Sequence, residues 1–149
     1  MTELVDTSAF FAILDADDAN RDRARAHLGE ALAAGTALLT HEHVLVETTA
    51  LVQRRLGMLP LRRFVDDLLP LVEVAWVDEA LHVEAREALL AAGRRGVSLV
   101  DWTSFLLMRR LGVRRAFTFD PDFAAEGFEV EPPPEGPAGP TPQAAPGTS

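Results

Sequence analysis

No cysteine and no lysine occur among the 149 residues. Without thiols there is no disulfide framework, no thiolate zinc site and no cysteine nucleophile. All 14 basic residues are arginine. The chain therefore lacks the phosphate-binding lysine of a Walker loop and any Schiff-base lysine. It also lacks the lysine expected in receiver and haloacid-dehalogenase-like phosphoryl sites. Long apolar runs are missing too. The longest charge-free stretch within residues 1–130 is Ala31–His41, eleven residues, whereas a bilayer-spanning helix needs roughly 18–20. Met1–Asp6 shows neither the basic region nor the apolar stretch of a signal peptide, which predicts a cytoplasmic protein without membrane association. Positive charge is in deficit. A formal net charge of −9 argues against general charge-driven nucleic-acid binding and leaves local contacts through clustered arginines open.

The 48% hydrophobic content is enough to fill one sizeable core. From Glu131 the composition changes abruptly: residues 131–149 hold seven of the ten prolines and no large apolar residue. Such a segment cannot bury enough surface to offset its ordering entropy. One domain over residues 1–130 and a disordered tail over 131–149 are expected.

Within the domain, short apolar runs alternate with helical patterns. Leu4-Val5 reads as a strand that leads into Asp6-Thr7-Ser8 and the apolar helix Ala9–Leu14. Asp15–Leu32 reads as a helix, Ala37–Leu39 as a strand, and His43–Leu56 as a helix stopped by Gly57. A helix over Leu61–Leu69, a strand over Val72–Val77 and a helix over Asp78–Ala92 stopped by Gly93 follow. A helix over Ser98–Leu111 stopped by Gly112 and the strand Ala116–Phe119 complete the series. The alternation predicts an α/β fold with a mainly parallel central sheet.

In open parallel sheets the reactive site lies off the carboxyl ends of the strands. Asp6 ends the first expected strand, Asp120 the last, and Asp101 opens a helix after an apolar run. Glu47 lies three residues from Val44 and four from Leu51, on or beside the buried stripe. Each has a purely structural alternative. Asp6 suits an N-cap, Ser98 and Asp101 have capping-box spacing, Asp120-Pro121 suits a turn, and Glu47 can pair with Arg54 or Arg55. Taken together, four carboxylates at one sheet edge need protons, cations or separation. Two such charges 5 Å apart repel by about 3 kcal/mol at an effective dielectric near 20. A hard divalent ion with oxygen ligands, Mg²⁺ or Mn²⁺, resolves the conflict, and such an ion can activate water against a phosphodiester.

Four segments carry a resemblance: Val5-Asp-Thr-Ser-Ala-Phe10, Val44-Leu-Val-Glu-Thr48, Ser98-Leu-Val-Asp-Trp-Thr-Ser104 and Phe117-Thr-Phe-Asp-Pro-Asp-Phe123. In this order and context they resemble the PIN-domain family, specifically its VapC-like toxin ribonucleases, over most of residues 3–130. The resemblance implies a three-layer α/β/α fold and a Mg²⁺- or Mn²⁺-dependent endoribonuclease. It also implies a homodimer held inactive by a cognate antitoxin. Position by position, Asp6, Glu47, Asp101 and Asp120 match the acidic quartet. Ser8 matches a small hydroxyl residue two positions after the first acid. Thr118 matches the hydroxyl residue before the last acid and implies a positioning role, and Asp122 is a looser match. One departure is that Asp18-Ala-Asn20 is followed by Arg21, where relatives often carry histidine.

Other features read as structural. The recurring arginine pairs suit helix ends or RNA phosphates. His41-Glu42-His43 lacks the i, i+4 spacing of a helical zinc motif. Trp76, Trp102 and four phenylalanines suit the core, and Leu61–Leu71 suits core or a dimer or antitoxin surface. Two other functions fit the same acids: a metal-dependent phosphatase or phosphotransferase, and a noncatalytic protein-binding module. Asp6-Thr-Ser8 lacks the paired aspartates of the former, and the complete acid set argues against the latter.

Overall fold

A computed structural model describes residues 1–136. Its strands are β1 (Thr2–Val5), β2 (Ala37–His41), β3 (Glu73–Ala75), β4 (Arg115–Phe117) and β5 (Glu129–Glu131). Its α-helices are α1 (Thr7–Leu14), α2 (Arg21–Ala33), α3 (Glu42–Arg55), α4 (Met58–Arg63), α5 (Glu79–Ala92), α6 (Leu99–Leu111) and α7 (Asp122–Ala125). The strands pair in the order β3-β2-β1-β4-β5, all parallel. Parallel pairing demands crossovers, and the helices supply them on both faces.

Strand periodicity divides the core in two. Leu4 and Ala116 pack with Leu81, Phe105, Met108 and Phe123 on one face of the sheet. Their neighbours Val5 and Phe117 pack with Phe10, Val44 and Phe64 on the other. Successive strand residues point to opposite faces, so the expected three-layer α/β/α arrangement is present. Each fully buried phenylalanine contributes about 1.5–3 kcal/mol of transfer free energy, and Phe10 meets Phe64 edge-on with ring centroids 5.1 Å apart. One polar pair spans this packing: His27 Nε2 of α2 lies 2.8 Å from Glu3 Oε2 of β1, with both residues buried.

Glycine ends two helices where the sequence places it. Gly93 and Gly112 have φ of 61° and 68°, the left-handed conformation that costs glycine no Cβ clash. Elsewhere local chemistry departs from the expected pattern. The helix expected from Asp15 begins at Arg21. Asp15 Oδ1 accepts from the Asp17 N–H and Asp18 Oδ1 from the Asn20 N–H, and these side-chain bonds hold a turn in place of helix. Helix α7 and strand β5 were not legible as elements. Trp76, expected in the core, is 76% exposed at the end of the β3 edge.

The expected tail boundary falls inside β5, whose last residue Glu131 accepts from the Thr118 N–H through its carbonyl. Beyond it, the Arg23 guanidinium donates to the Pro133 carbonyl and lies 3.6 Å from Glu135. The remainder of the expected tail, residues 137–149, lies outside the described residues. No helix among the described residues is long and apolar enough to cross a membrane.

Candidate active site

The chain runs from β1 outward through β2 to β3, then returns to place β4 on the other side of β1. That reversal opens a crevice between the carboxyl ends of β1 and β4, the place where open α/β sheets bind ligands. Asp6 follows β1 and Asp120 lies three residues past β4. The Asp6 N–H donates to the Phe117 carbonyl at 3.0 Å, so the ladder carries the first acid to the crevice. A cavity of about 380 Å³ lies here, and Asp6, Glu47, Asp101 and Asp120 all line it.

Asp6 occupies the N-cap position of α1, yet its side chain makes no capping bond. Its Oδ2 instead accepts from Ser8 Oγ and Thr118 Oγ1, each at 3.0 Å. Both hydroxyls are used twice. Ser8 Oγ accepts from the Phe119 N–H at 2.9 Å, and Thr118 Oγ1 accepts from the Asp120 N–H at 2.9 Å. One pair of hydroxyls thus ties the first acid to the backbone that carries the last.

Asp101 has two tasks. It forms the capping box of α6, with Ser98 Oγ accepting from the Asp101 N–H at 3.1 Å and Asp101 Oδ2 accepting from the Ser98 N–H at 2.8 Å. The structural reading of this residue therefore holds, and it fixes a carboxylate at the cavity wall. Asp120 is held by its own turn, its Oδ1 accepting from the Asp122 N–H at 2.9 Å. Glu47, half-buried on α3, forms no ion pair among the described residues, including none with Arg54 or Arg55.

Electrostatics follow from this crowding. Burial, reinforced by the Asp101 charge, raises the Asp6 pKa from 3.8 to about 7 against the opposing bonds from Ser8 and Thr118. Burial also raises Asp101 and Asp120, with the neighbouring carboxylates adding to it. Among the described residues, Asp101, Asp120 and Asp122 form a group in which each offers one oxygen within 4.8 Å of the others. Asp122, the looser match in the sequence, thus joins two of the four matched acids. Three half-buried oxygen donors with no nitrogen or sulfur fit a hard divalent cation. The nearest protein cation is Arg94, whose guanidinium is 3.4 Å from Asp122.

Sequence reasoning missed Asp18 and Asn20, which also line the cavity. They reach it because the turn at residues 15–20 replaces the expected helix, and their signals were the acidic cluster Asp15-Ala-Asp-Asp18 and the departure from the family's pattern at Arg21. The histidines lie apart. His41 is buried, with Nε2 2.8 Å from Ser104 Oγ and Nδ1 accepting from the Val44 N–H at 3.4 Å. Burial, with His43 nearby, lowers its pKa to about 3, so it is a neutral helix cap.

A parallel sheet with carboxylates gathered at its switch point defines the class, and comparison agrees: residues 4–128 match the PIN domain, and the chain belongs to the PIN-domain family. It is 37% identical over 130 residues to the 23S rRNA-specific endonuclease VapC20 of Mycobacterium tuberculosis, covering 86% of this chain and 97% of the relative. The crystal structure of VapC20, described as a sarcin–ricin loop cleaving toxin, superposes with a TM-score of 0.74 at 35% identity, covering 86% of this chain and 96% of that one. FitAcB from Neisseria gonorrhoeae shares the fold, with a TM-score of 0.62 at 19% identity over 87% of this chain and 96% of that one. So does VapBC2 from Rickettsia felis, solved with a promoter DNA fragment, with a TM-score of 0.61 at 16% identity over 88% and 98%.

Proposed function

We propose that this protein is a Mg²⁺- or Mn²⁺-dependent endoribonuclease and the toxin of a toxin–antitoxin pair. The observation that carries the reading is the convergence of Asp6, Glu47, Asp101 and Asp120 on one cavity in a chain 37% identical to a named rRNA endonuclease. In this reading Asp101, Asp120 and Asp122 hold the ion, and Asp6 contributes its Oδ1, which takes no part in the hydroxyl network. A divalent cation held there would supply positive charge against the phosphodiester oxygens and would lower the pKa of water.

The chain's own residues do the rest. Ser8 and Thr118 fix the Asp6 carboxylate, and the Ser98 cap fixes Asp101. Glu47, without an ion-pair partner among the described residues, orients the attacking water and takes its proton. The water oxygen forms the new bond to phosphorus as the ester P–O bond breaks, and the leaving oxygen takes up a proton from solvent water. The exposed Met58, Leu59 and Val65 on and after α4 supply an apolar strip for a homodimer contact. The cognate antitoxin, in a cytoplasmic setting, completes the arrangement.

The test uses ribosomes and purified 23S rRNA with Mg²⁺ or Mn²⁺. The wild-type chain produces a discrete fragment, EDTA abolishes it, and Glu47→Gln and Asp120→Asn abolish it while retaining wild-type thermal melts. Metal-independent cleavage, or cleavage undiminished in both folded variants, refutes the assignment.

A further inference from the structure

Beside the acid cavity lies a second pocket of about 270 Å³. The two share Asn20, Phe119 and Asp120, so a ligand with its phosphate among the acids reaches the second pocket without leaving the surface. The lining is of a different kind. Phe119, Pro121, Ala124, Val130, Pro132 and Pro134 make most of it, and polar side chains stand among them at Asn20, Asp120 and Glu135. The Arg23 guanidinium lies over the Phe119 ring, 5.7 Å from its centroid. It is held there by the Pro133 carbonyl and by Glu135. Its charge is thus matched within the protein, and what it offers a ligand is chiefly a flat face.

An acidic chain faces a difficulty with RNA: the cavity that does the chemistry repels the substrate backbone. Affinity gained without phosphate charge resolves it, and stacking on aromatic and guanidinium planes supplies such affinity. The apolar pocket has the size for one heterocyclic base, offers the flat groups of Phe119 and Arg23, and adjoins the acids. We propose that it is a subsite for the nucleobase next to the scissile phosphate, with Phe119 and Arg23 as its stacking wall and the segment after β5 as its outer wall. This deepens the nuclease reading and rests on it for the scissile phosphate.

Two measurements test it. In the first, short RNA substrates carry an abasic nucleotide at each position around the cleaved bond. One adjacent position costs wild-type protein roughly 10-fold in kcat/KM, the scale of a single base–aromatic stack. Ala124→Phe fills the pocket from its exposed rim and leaves every acid in the sequence unchanged. It raises KM for intact RNA by a similar factor, leaves kcat near wild type, and removes the sensitivity to the abasic position. Phe119→Leu, which keeps apolar packing but not the ring, likewise removes the sensitivity to the abasic position. In the second, 2-aminopurine at that position reports stacking by loss of fluorescence. The titration uses Asp6→Asn protein, so that the RNA stays intact, with and without Phe119→Leu. The emission falls in the first and not in the second. Wild-type cleavage with no costly abasic position overturns the subsite and leaves the nuclease standing. Absence of cleavage overturns the nuclease, and the fluorescence titration still decides the subsite: no change at any position, or equal change with Phe119→Leu, refutes it.

Discussion

Asp6→Asn separates stability from function. In the metal-free protein Asp6 is raised from 3.8 to about 7, chiefly by burial. Between those values the folded state holds a proton that the unfolded chain releases. The contribution to stability is therefore fully present below about pH 4 and is lost as pH rises through 7. One pKa unit is worth about 1.4 kcal/mol, so the whole span amounts to about 4 kcal/mol. The part falling between pH 5 and pH 8 is roughly 3 kcal/mol. Asparagine keeps the shape and can still accept from Ser8 and Thr118, but it carries no charge to desolvate.

The assay is urea unfolding in EDTA at pH 5 and pH 8. Between the two, the change in stability of Asp6→Asn is about 3 kcal/mol more favourable than that of wild type. Both proteins keep the slope from Asp101 and Asp120, which are raised in the same direction as Asp6, and the opposing slope from His41, which burial lowers to about 3. At pH 8 the variant is the more stable protein, and added Mn²⁺ stabilises wild type more than the variant. An Asp6→Asn protein no more stable than wild type at pH 8, with an unchanged pH slope, would falsify the account of a strained buried carboxylate.

Further outcomes follow from single contacts. Thr118→Val removes the donor to Asp6 and the acceptor for the Asp120 N–H while keeping the shape; cleavage falls about 10–100-fold, the scale seen when supporting ligands are lost, with secondary structure by circular dichroism unchanged. Ser98→Ala breaks the α6 capping box and lowers unfolding free energy by about 1 kcal/mol, measured by urea titration at pH 7. Phe64→Ala empties a fully buried position against Phe10 and costs about 3–5 kcal/mol, read as a lowered denaturation midpoint with an unchanged slope.

The fold was legible where periodicity and stop signals coincided. Leu4-Val5 and Ala116-Phe117 are apolar on both faces, as buried parallel strands require, and Gly93 and Gly112 end helices that need a left-handed residue. Convergence of the acids could be anticipated because Asp6, Asp101 and Asp120 stand at a strand end or helix start, positions that a parallel sheet turns toward one edge, and Glu47 lies beside the buried stripe of α3. What escaped was shorter-range or longer-range than those signals. The turn at Asp15–Asn20 depends on aspartate oxygens capturing backbone N–H groups, which a helical pattern of Ala and Arg conceals. Strand β5 has one apolar residue, Val130, between two glutamates, and only its pairing with β4 reveals it. The closeness of Asp122 to Asp101 depends on α7, a four-residue helix too short to carry a periodic signal.

The hydroxyl of Thr118 reaches Asp6 across 112 positions of chain. A nascent polypeptide that has folded everything as far as α6 still presents its first acid without that donor, and without Asp120 beside it. Under the proposed function, a chain that ends before β4 lacks both contacts, and the acid cavity is complete only after β4 slots in beside β1.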